Sequence, residues 1–156
     1  MKPAIRMFNN SDSQAVSELM FKYRKEGSLL SQSDLTPANV AKYLDQKKAA
    51  KSSNIYVMEL AGKPIGYADF SVKDKEASIF DVYVEPEHRG RGHGSRLLQT
   101  ILNHFAEKGV VTARTDIFAG DQYKRKIISS NGFGMEQQTA DKKGIAFEIW
   151  AKTILL

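Results

Sequence analysis

Cysteine is absent from the 156 residues, which excludes a disulfide framework, thiolate zinc ligation and a cysteine nucleophile together. The three histidines, His88, His93 and His104, fall at spacings that put no metal-binding pair on one helix face. With no HExxH either, no metal is expected. No apolar run approaches the ~18 residues of a membrane-spanning helix, and the opening MKPAIRMFNN has no apolar signal-like core. A soluble, cytoplasmic protein acting on no membrane is the expectation. Repeats, low-complexity tracts and Pro/Gly/Ser-rich linkers are also lacking, so residues 1–156 read as one domain. Apolar residues at 42% against 26% charged supply a core. The formal charge is +5, but it is spread: residues 1–75 carry 12 basic and 8 acidic side chains, residues 76–156 carry 11 and 10. Without a basic arm, a nucleic-acid partner is not expected, although the mild positive field favours small anions such as phosphates.

Periodicity orders the chain as βααβββαβαββ. Pro3 to Phe8 reads as a strand, and Ser11-x-x-Gln14 as a capping box opening a helix with Val16, Leu19, Met20 and Tyr23, stopped at Gly27. Thr36-Pro37 opens a second helix carrying Val40, Tyr43 and Leu44. From Asn54 the period falls to two. Strands are expected up to Leu60, from Ile65 to Val72 after a turn at Ala61-Gly62-Lys63-Pro64, and from Ala77 to Val84. A helix with Leu97, Leu98, Ile101, Leu102 and Phe105 on one face ends at Gly109. Val110 to Phe118, a short helix from Asp121 to Ser130, and a hairpin of Phe133–Thr139 with Ile145–Ile154 complete an α/β fold with one strand–helix–strand crossover.

The third of those strands runs into Glu85-Pro86-Glu87-His88-Arg89-Gly90-Arg91-Gly92-His93-Gly94, directly before the clearest helix. Alternate glycines permit positive φ, so backbone N–H groups can converge on a ligand, and the helix N-terminus adds uncapped donors and partial positive charge. Arg89, Arg91 and Arg96 add charge around the same place, which suits a pyrophosphate. A plain structural turn or an exposed RG-rich loop is the alternative. A Walker A loop is excluded because Gly-Lys-Ser/Thr is missing, and G-x-G-x-G replaces the dinucleotide fingerprint G-x-G-x-x-G.

Val82 to Gly94 resembles motif A of the GNAT N-acetyltransferase superfamily, whose core reads Gln/Arg-x-x-Gly-x-Gly/Ala; Arg89, Gly92 and Gly94 fill its fixed positions. Asn131-Gly132-Phe133-Gly134 is similar to the Gly-Phe that ends motif B, and the element order resembles the family's. The resemblance implies a mixed, mostly antiparallel sheet flanked by helices, with acetyl transfer from acetyl-CoA to an amine by direct attack in a ternary complex. It places the pyrophosphate on the amides of Gly90, Arg91, Gly92, His93, Gly94 and Ser95, beside Arg89. It pairs the pantetheine arm with the backbone of Val82, Tyr83 and Val84, and gives one strand N–H the task of polarising the thioester carbonyl.

The amine must lose a proton, so a carboxylate base is expected. Asp81 and Asp116 lie on neighbouring strands, Asp81 on the face shared by Ile79 and Tyr83, opposite Phe80, Val82 and Val84. Asp116 is similar in place to a base glutamate of the ribosomal-protein branch of the family. Burial would raise either carboxyl toward a working base; the alternative is pairing with a cation such as Arg114, or turn capping. The family's proton-donating tyrosine, four residues before the glycine of Gly-Phe, is replaced by Ile128, and its customary asparagine by Asp121. Tyr123, one turn nearer the helix start, and Tyr83, on the strand, are the candidate donors to the leaving thiolate, and water is a further donor. His93 reads as a loop residue near phosphate, and Trp150 within Ile145 to Leu155 as core or as the edge of a homodimer. The resemblance builds the acceptor pocket from the first two helices and the last hairpin, where Phe21, Tyr23 and Tyr43 carry no signature of one amine. A small metabolite such as a polyamine, amino acid or aminoglycoside, or a protein N-terminus or lysine, would each serve. The lack of an acidic cluster disfavours a strongly cationic acceptor. A coenzyme A-binding regulatory domain without turnover is the alternative that Ile128 raises.

Overall fold

A computed structural model describes residues 2–27, 36–49 and 53–154. Its strands are β1 (Ala4–Met7), β2 (Ser53–Leu60), β3 (Lys63–Lys73), β4 (Glu76–Val84), β5 (Thr112–Phe118), β6 (Gly134–Ala140) and β7 (Ala146–Thr153). The helices are α1 (Ser13–Gly27), α2 (Pro37–Ala49), α3 (His93–Glu107) and α4 (Gln122–Ser129). The order is the expected βααβββαβαββ. One seven-stranded sheet runs β1-β2-β3-β4-β5-β7-β6, antiparallel except for β4–β5, which α3 connects.

Apolar spacing fixes the layers. Val16, Leu19, Met20 and Tyr23 of α1 join Val40 and Leu44 of α2 over Val57, Tyr67 and Tyr83 on one sheet face. On the other, Leu97, Leu98, Ile101, Leu102 and Phe105 of α3 pack with Ile127 and Ile128 of α4 over Phe70, Ile79, Val82 and Val84. Ile128 is thus a core residue, which is why no polar group stands there. Trp150 packs partly buried against this second cluster, while Leu155 lies outside the described residues.

Local chemistry sets the ends. Thr36 Oγ1 accepts from Asn39 N (3.1 Å) and caps α2, and Gly109, at φ 76°, ends α3. The expected capping box is displaced: Asn9, not Ser11, opens the turn before α1, and Asp12, not Gln14, reaches back to Asn9 N (2.9 Å). Arg6 selects this arrangement by gripping Asp12 through two bonds of 2.7 and 2.9 Å, and its guanidinium holds the Asp12 carboxyl below its ordinary range. The β2–β3 turn is tighter than expected. Only Ala61 and Gly62 form it, both at positive φ, and Pro64 is already inside β3, where a bulge opposite Glu59 spares it a ladder donor.

One irregularity creates the site. Asp69 pairs with Asp81 but Phe70 with Ile79, so Phe80 is an extra residue that bulges out of β4. The bulge reverses the alternation, which corrects the expected face: Asp81 and Tyr83 look toward α1, while Ile79 joins Val82 and Val84 beneath α3. Beyond the bulge β4 leaves β5. Their parallel ladder stops at Ile79↔Thr115, sealed by Thr115 Oγ1 donating to Ile79 O (2.8 Å), and a wedge opens between the strands.

Candidate active site

Backbone amides line the wedge because of the strand period. Glu85 N donates to Ile65 O (2.9 Å) on β3, so Tyr83 also turns its N–H that way, and Val82 and Val84 turn theirs toward the wedge. Arg89 Nε, bonded to Val84 O (2.8 Å), marks the same side.

At the wide mouth the chain passes a 3₁₀ turn at Pro86–His88 and reaches Gly90 (φ 81°) and Gly92 (φ 79°), conformations that L side chains seldom adopt. Gly92 precedes α3 without a side-chain cap, so the first-turn amides of His93, Gly94 and Ser95 keep their donors free of one. Gly94 serves a different need. A Cβ there would stand 2.5 Å from Ile127 Cδ1 and 2.6 Å from the Tyr123 hydroxyl, so its absence lets α4 close against α3. The cavity, about 390 Å³, is lined by Arg89, Gly90, Gly92, His93, Gly94, Ser95 and, from α4, Tyr123 and Lys126. This is a cradle of amides and small residues with a cation at its rim, and it fits a diphosphate.

The arginines divide differently from the expectation. Arg91 is exposed on the loop. Arg96 donates to Pro3 O, which draws it to the chain start. Arg89 folds along the wedge, pairs with Glu26 (2.7 Å) and lies 3.9 Å above the Tyr123 ring. Lys126 was missed, although it shares a helix turn with Tyr123 and Ile127. Burial and the neighbouring Arg96 and Arg91 lower the His93 imidazole's pKa, so it adds little charge near neutrality.

Inward from the mouth, a cavity of about 200 Å³ is lined by Glu26, Tyr83, Asp121 and Tyr123, and a third, about 230 Å³, by Phe80, Asp81, Thr115, Asp116 and Lys124. Arg89 and Tyr123 belong to the first two and Tyr23 to the last two, so the three follow one another along β4. A larger cavity of about 550 Å³ between α1 and α2 shares no residue with this track.

The two candidate carboxylates differ sharply. Asp81 is buried, accepts from the Tyr67 hydroxyl (2.7 Å) and stands 3.6 Å from Arg24. Asp116 is exposed on the third cavity. Neither pairs with Arg114, which binds Glu76 and Glu136 instead. The buried carboxyl pushed up to about 6 is Asp69, by burial and then by facing Asp81 across the ladder. Asp121 caps α4 by accepting from Lys124 N (3.1 Å) and also receives the Tyr23 hydroxyl. Tyr123 points its hydroxyl at Gly94, near the mouth, and burial pushes it up to about 12. Tyr83 is fully covered and donates to Glu26 (3.0 Å). Neither phenol reaches the narrow end. Lys124 does, with Nζ donating to Phe80 O (2.9 Å) and Asp116 O (2.7 Å).

A parallel strand pair that splays, with a glycine cradle at its mouth, is the arrangement that the resemblance of Val82 to Gly94 leads one to expect. Residues 17–133 match the acetyltransferase (GNAT) family, and the chain belongs to that family as an acetyltransferase. Among solved structures, the ribosomal-protein-S18-alanine N-acetyltransferase of Escherichia coli is 18% identical, with 99% of this chain and 95% of that one covered at a TM-score of 0.77. The PaiA N-acetyltransferase of Thermoplasma acidophilum, in complex with coenzyme A, is 16% identical over 98% and 99% of the two chains, TM-score 0.78. The yncA product of Salmonella typhimurium, solved with its cofactor acetyl-CoA, is 18% identical over 100% and 96%, TM-score 0.79. At these identities they establish the shared fold. No curated protein matches the sequence. No described helix is long and apolar enough to cross a membrane, and no cluster able to hold a metal occurs among the described residues.

Proposed function

We propose that this chain transfers an acetyl group from acetyl-CoA to a primary amine by direct attack within a ternary complex. The supporting observation is the continuous track along β4, with a diphosphate-sized amide cradle at one end and an exposed carboxylate at the other. Gly90 to Ser95 and Lys126 hold the pyrophosphate, and the amides of Val82 and Val84 hold the pantetheine arm as an added strand would. When bound, acetyl-CoA supplies the activated acyl group. The inward amide of Val82 is the oxyanion-type donor to the acyl oxygen.

Asp116 takes the proton from the acceptor nitrogen, directly or through water, because it is open to the cavity where an amine can arrive. Asp81 supports the site through Tyr67 and Arg24, and Tyr123 packs Arg89 against the cradle. Acceptors of the two kinds expected are compatible with this arrangement: a peptide amine, as in the named action of the S18-alanine enzyme, or a small amine.

The test is release of free coenzyme A thiol when full-length protein and acetyl-CoA meet a panel of peptide N-termini, lysine peptides and small amines. Turnover with at least one class is expected. Tight acetyl-CoA binding with no turnover on any amine would favour the non-catalytic reading that Ile128 motivates.

A further inference from the structure

Burying an ammonium is costly unless its N–H groups find acceptors. Lys124, 2% exposed, finds two, Phe80 O at 2.9 Å and Asp116 O at 2.7 Å. These carbonyls follow immediately after the last ladder pair, Ile79↔Thr115, one on each parting strand. The ammonium therefore stands where the next rung would be, at the narrow end of the wedge, and it faces the cavity lined by Tyr23, Asp81 and Asp116. Phe80 is two residues before Val82, about 7 Å along a strand. A ligand arm laid from the mouth past Val84 and Val82 comes next to Lys124.

The donor count matters. An ammonium has three N–H bonds and a neutral amine two. Lys124 can release one proton and still serve both carbonyls, so the strands stay tied while the charge changes. We propose that Lys124 donates the proton to the sulfur of the departing coenzyme, the role left vacant by Ile128. The assignment rests on the acetyl-transfer reading above. In that step the acceptor nitrogen bonds to the acyl carbon and the carbon–sulfur bond breaks with its electron pair on sulfur. Sulfur takes a proton from Lys124 Nζ, while the proton leaving the nitrogen passes to Asp116 or water and returns to Lys124. The net change is amine plus thioester to amide plus thiol.

The surroundings suit the task. Complete burial lowers the lysine, against Asp81 from β4, Asp121 at the start of α4, Asp116 from β5 and Asp69 from β3. The Tyr23 hydroxyl from α1 lines the same cavity and is engaged by Asp121.

The test compares coenzyme A with desulfo-coenzyme A, which lacks the sulfur, by calorimetry on the full chain from pH 7 to 9. With Lys124 against the sulfur, the bound thiolate is favoured, and coenzyme A gains about tenfold over the desulfo compound as pH rises. Lys124→Gln, which keeps two donors but no charge, should abolish that gain and lower kcat at least 30-fold, with KM for acetyl-CoA within threefold. Lys124→Arg should restore the gain but not turnover, because guanidinium holds its proton. Equal binding of the two compounds by the wild-type protein at every pH overturns the proposal, as does a folded Lys124→Gln protein with kcat within threefold of wild type. If Lys124→Gln fails to fold, the wild-type comparison alone decides. Failure of both compounds to bind would instead remove the acetyl-CoA reading itself.

Discussion

The two ends of the wedge are built on opposite principles. The mouth comes from one continuous stretch, Arg89 to Ser95, and acts through backbone amides held by glycine conformations. The narrow end gathers side chains from β3, β4, β5, α1 and α4 around carbonyls that a bulge has turned loose. The mouth should therefore tolerate changes at the exposed Arg91, but neither a Cβ at its glycines nor a competing acceptor on its amides. At the narrow end the functional groups themselves should matter. Binding and turnover thus separate along the length of β4.

The largest effect tests the narrow end. Asp116→Asn should lower kcat by about 100-fold or more, the usual worth of a positioned base, with acetyl-CoA affinity changed only a few-fold. Asp81→Asn should act mainly on stability, by about 3 kcal/mol in urea unfolding, because it leaves Arg24 facing Tyr67 without its carboxylate. A large kcat loss in Asp81→Asn with unchanged unfolding would exchange the two roles.

The mouth is tested by Gly92→Asp. Asp is strained at the left-handed backbone of Gly92, so urea unfolding should show a loss of about 1 kcal/mol, and affinity is read on the folded protein. Its carboxylate would occupy the amides of the α3 first turn and repel a phosphate. Calorimetry should show roughly 30-fold weaker acetyl-CoA binding, about 2 kcal/mol, with a smaller loss in kcat at saturation. Unchanged affinity would mean that the phosphates lie elsewhere.

This contrast also explains what could be read in advance. The mouth is contiguous, so its glycines and the amphipathic α3 announce it directly, and the element order follows from periods of 3.6 and 2. The narrow end depends on the bulge at Phe80, where strict alternation places Asp81 with Ile79 and the structure separates them. A single inserted residue leaves no compositional mark. The partners of Arg89 and Arg96, Glu26 and Pro3, lie 63 and 93 residues away, beyond any local pattern. Lys124 was within reach, since Lys124, Ile127 and Ile128 share the buried stripe of α4 at spacings of three and four.

The smallest effect concerns charge stored behind the narrow end, for which the mouth, built on amides, has no counterpart. Asp69 is wholly buried, ion-paired with Lys47 (2.7 Å), accepts from the Tyr43 hydroxyl (2.7 Å), and lies opposite Asp81 in register. Burial first and Asp81 second raise it from 3.8 to about 6. The folded protein therefore holds this proton more tightly than the unfolded chain does. Its contribution to stability is fully present below the unfolded value and is lost as pH rises through about 6. The shift corresponds to an upper bound of about 3 kcal/mol between pH 4 and 7. Asp12, lowered by Arg6, acts with the opposite sign but at lower pH, so it does not mask this window. Asp69→Asn cannot titrate, and its amide oxygen can accept from Lys47 while its N–H group donates to the Tyr43 oxygen. Urea unfolding across pH 4 to 7 should show wild type losing up to about 3 kcal/mol relative to the variant, with the change centred between pH 4 and 6. A difference between the two that stays constant over that range would show that Asp69 carries its charge throughout, with Lys47 outweighing both burial and Asp81.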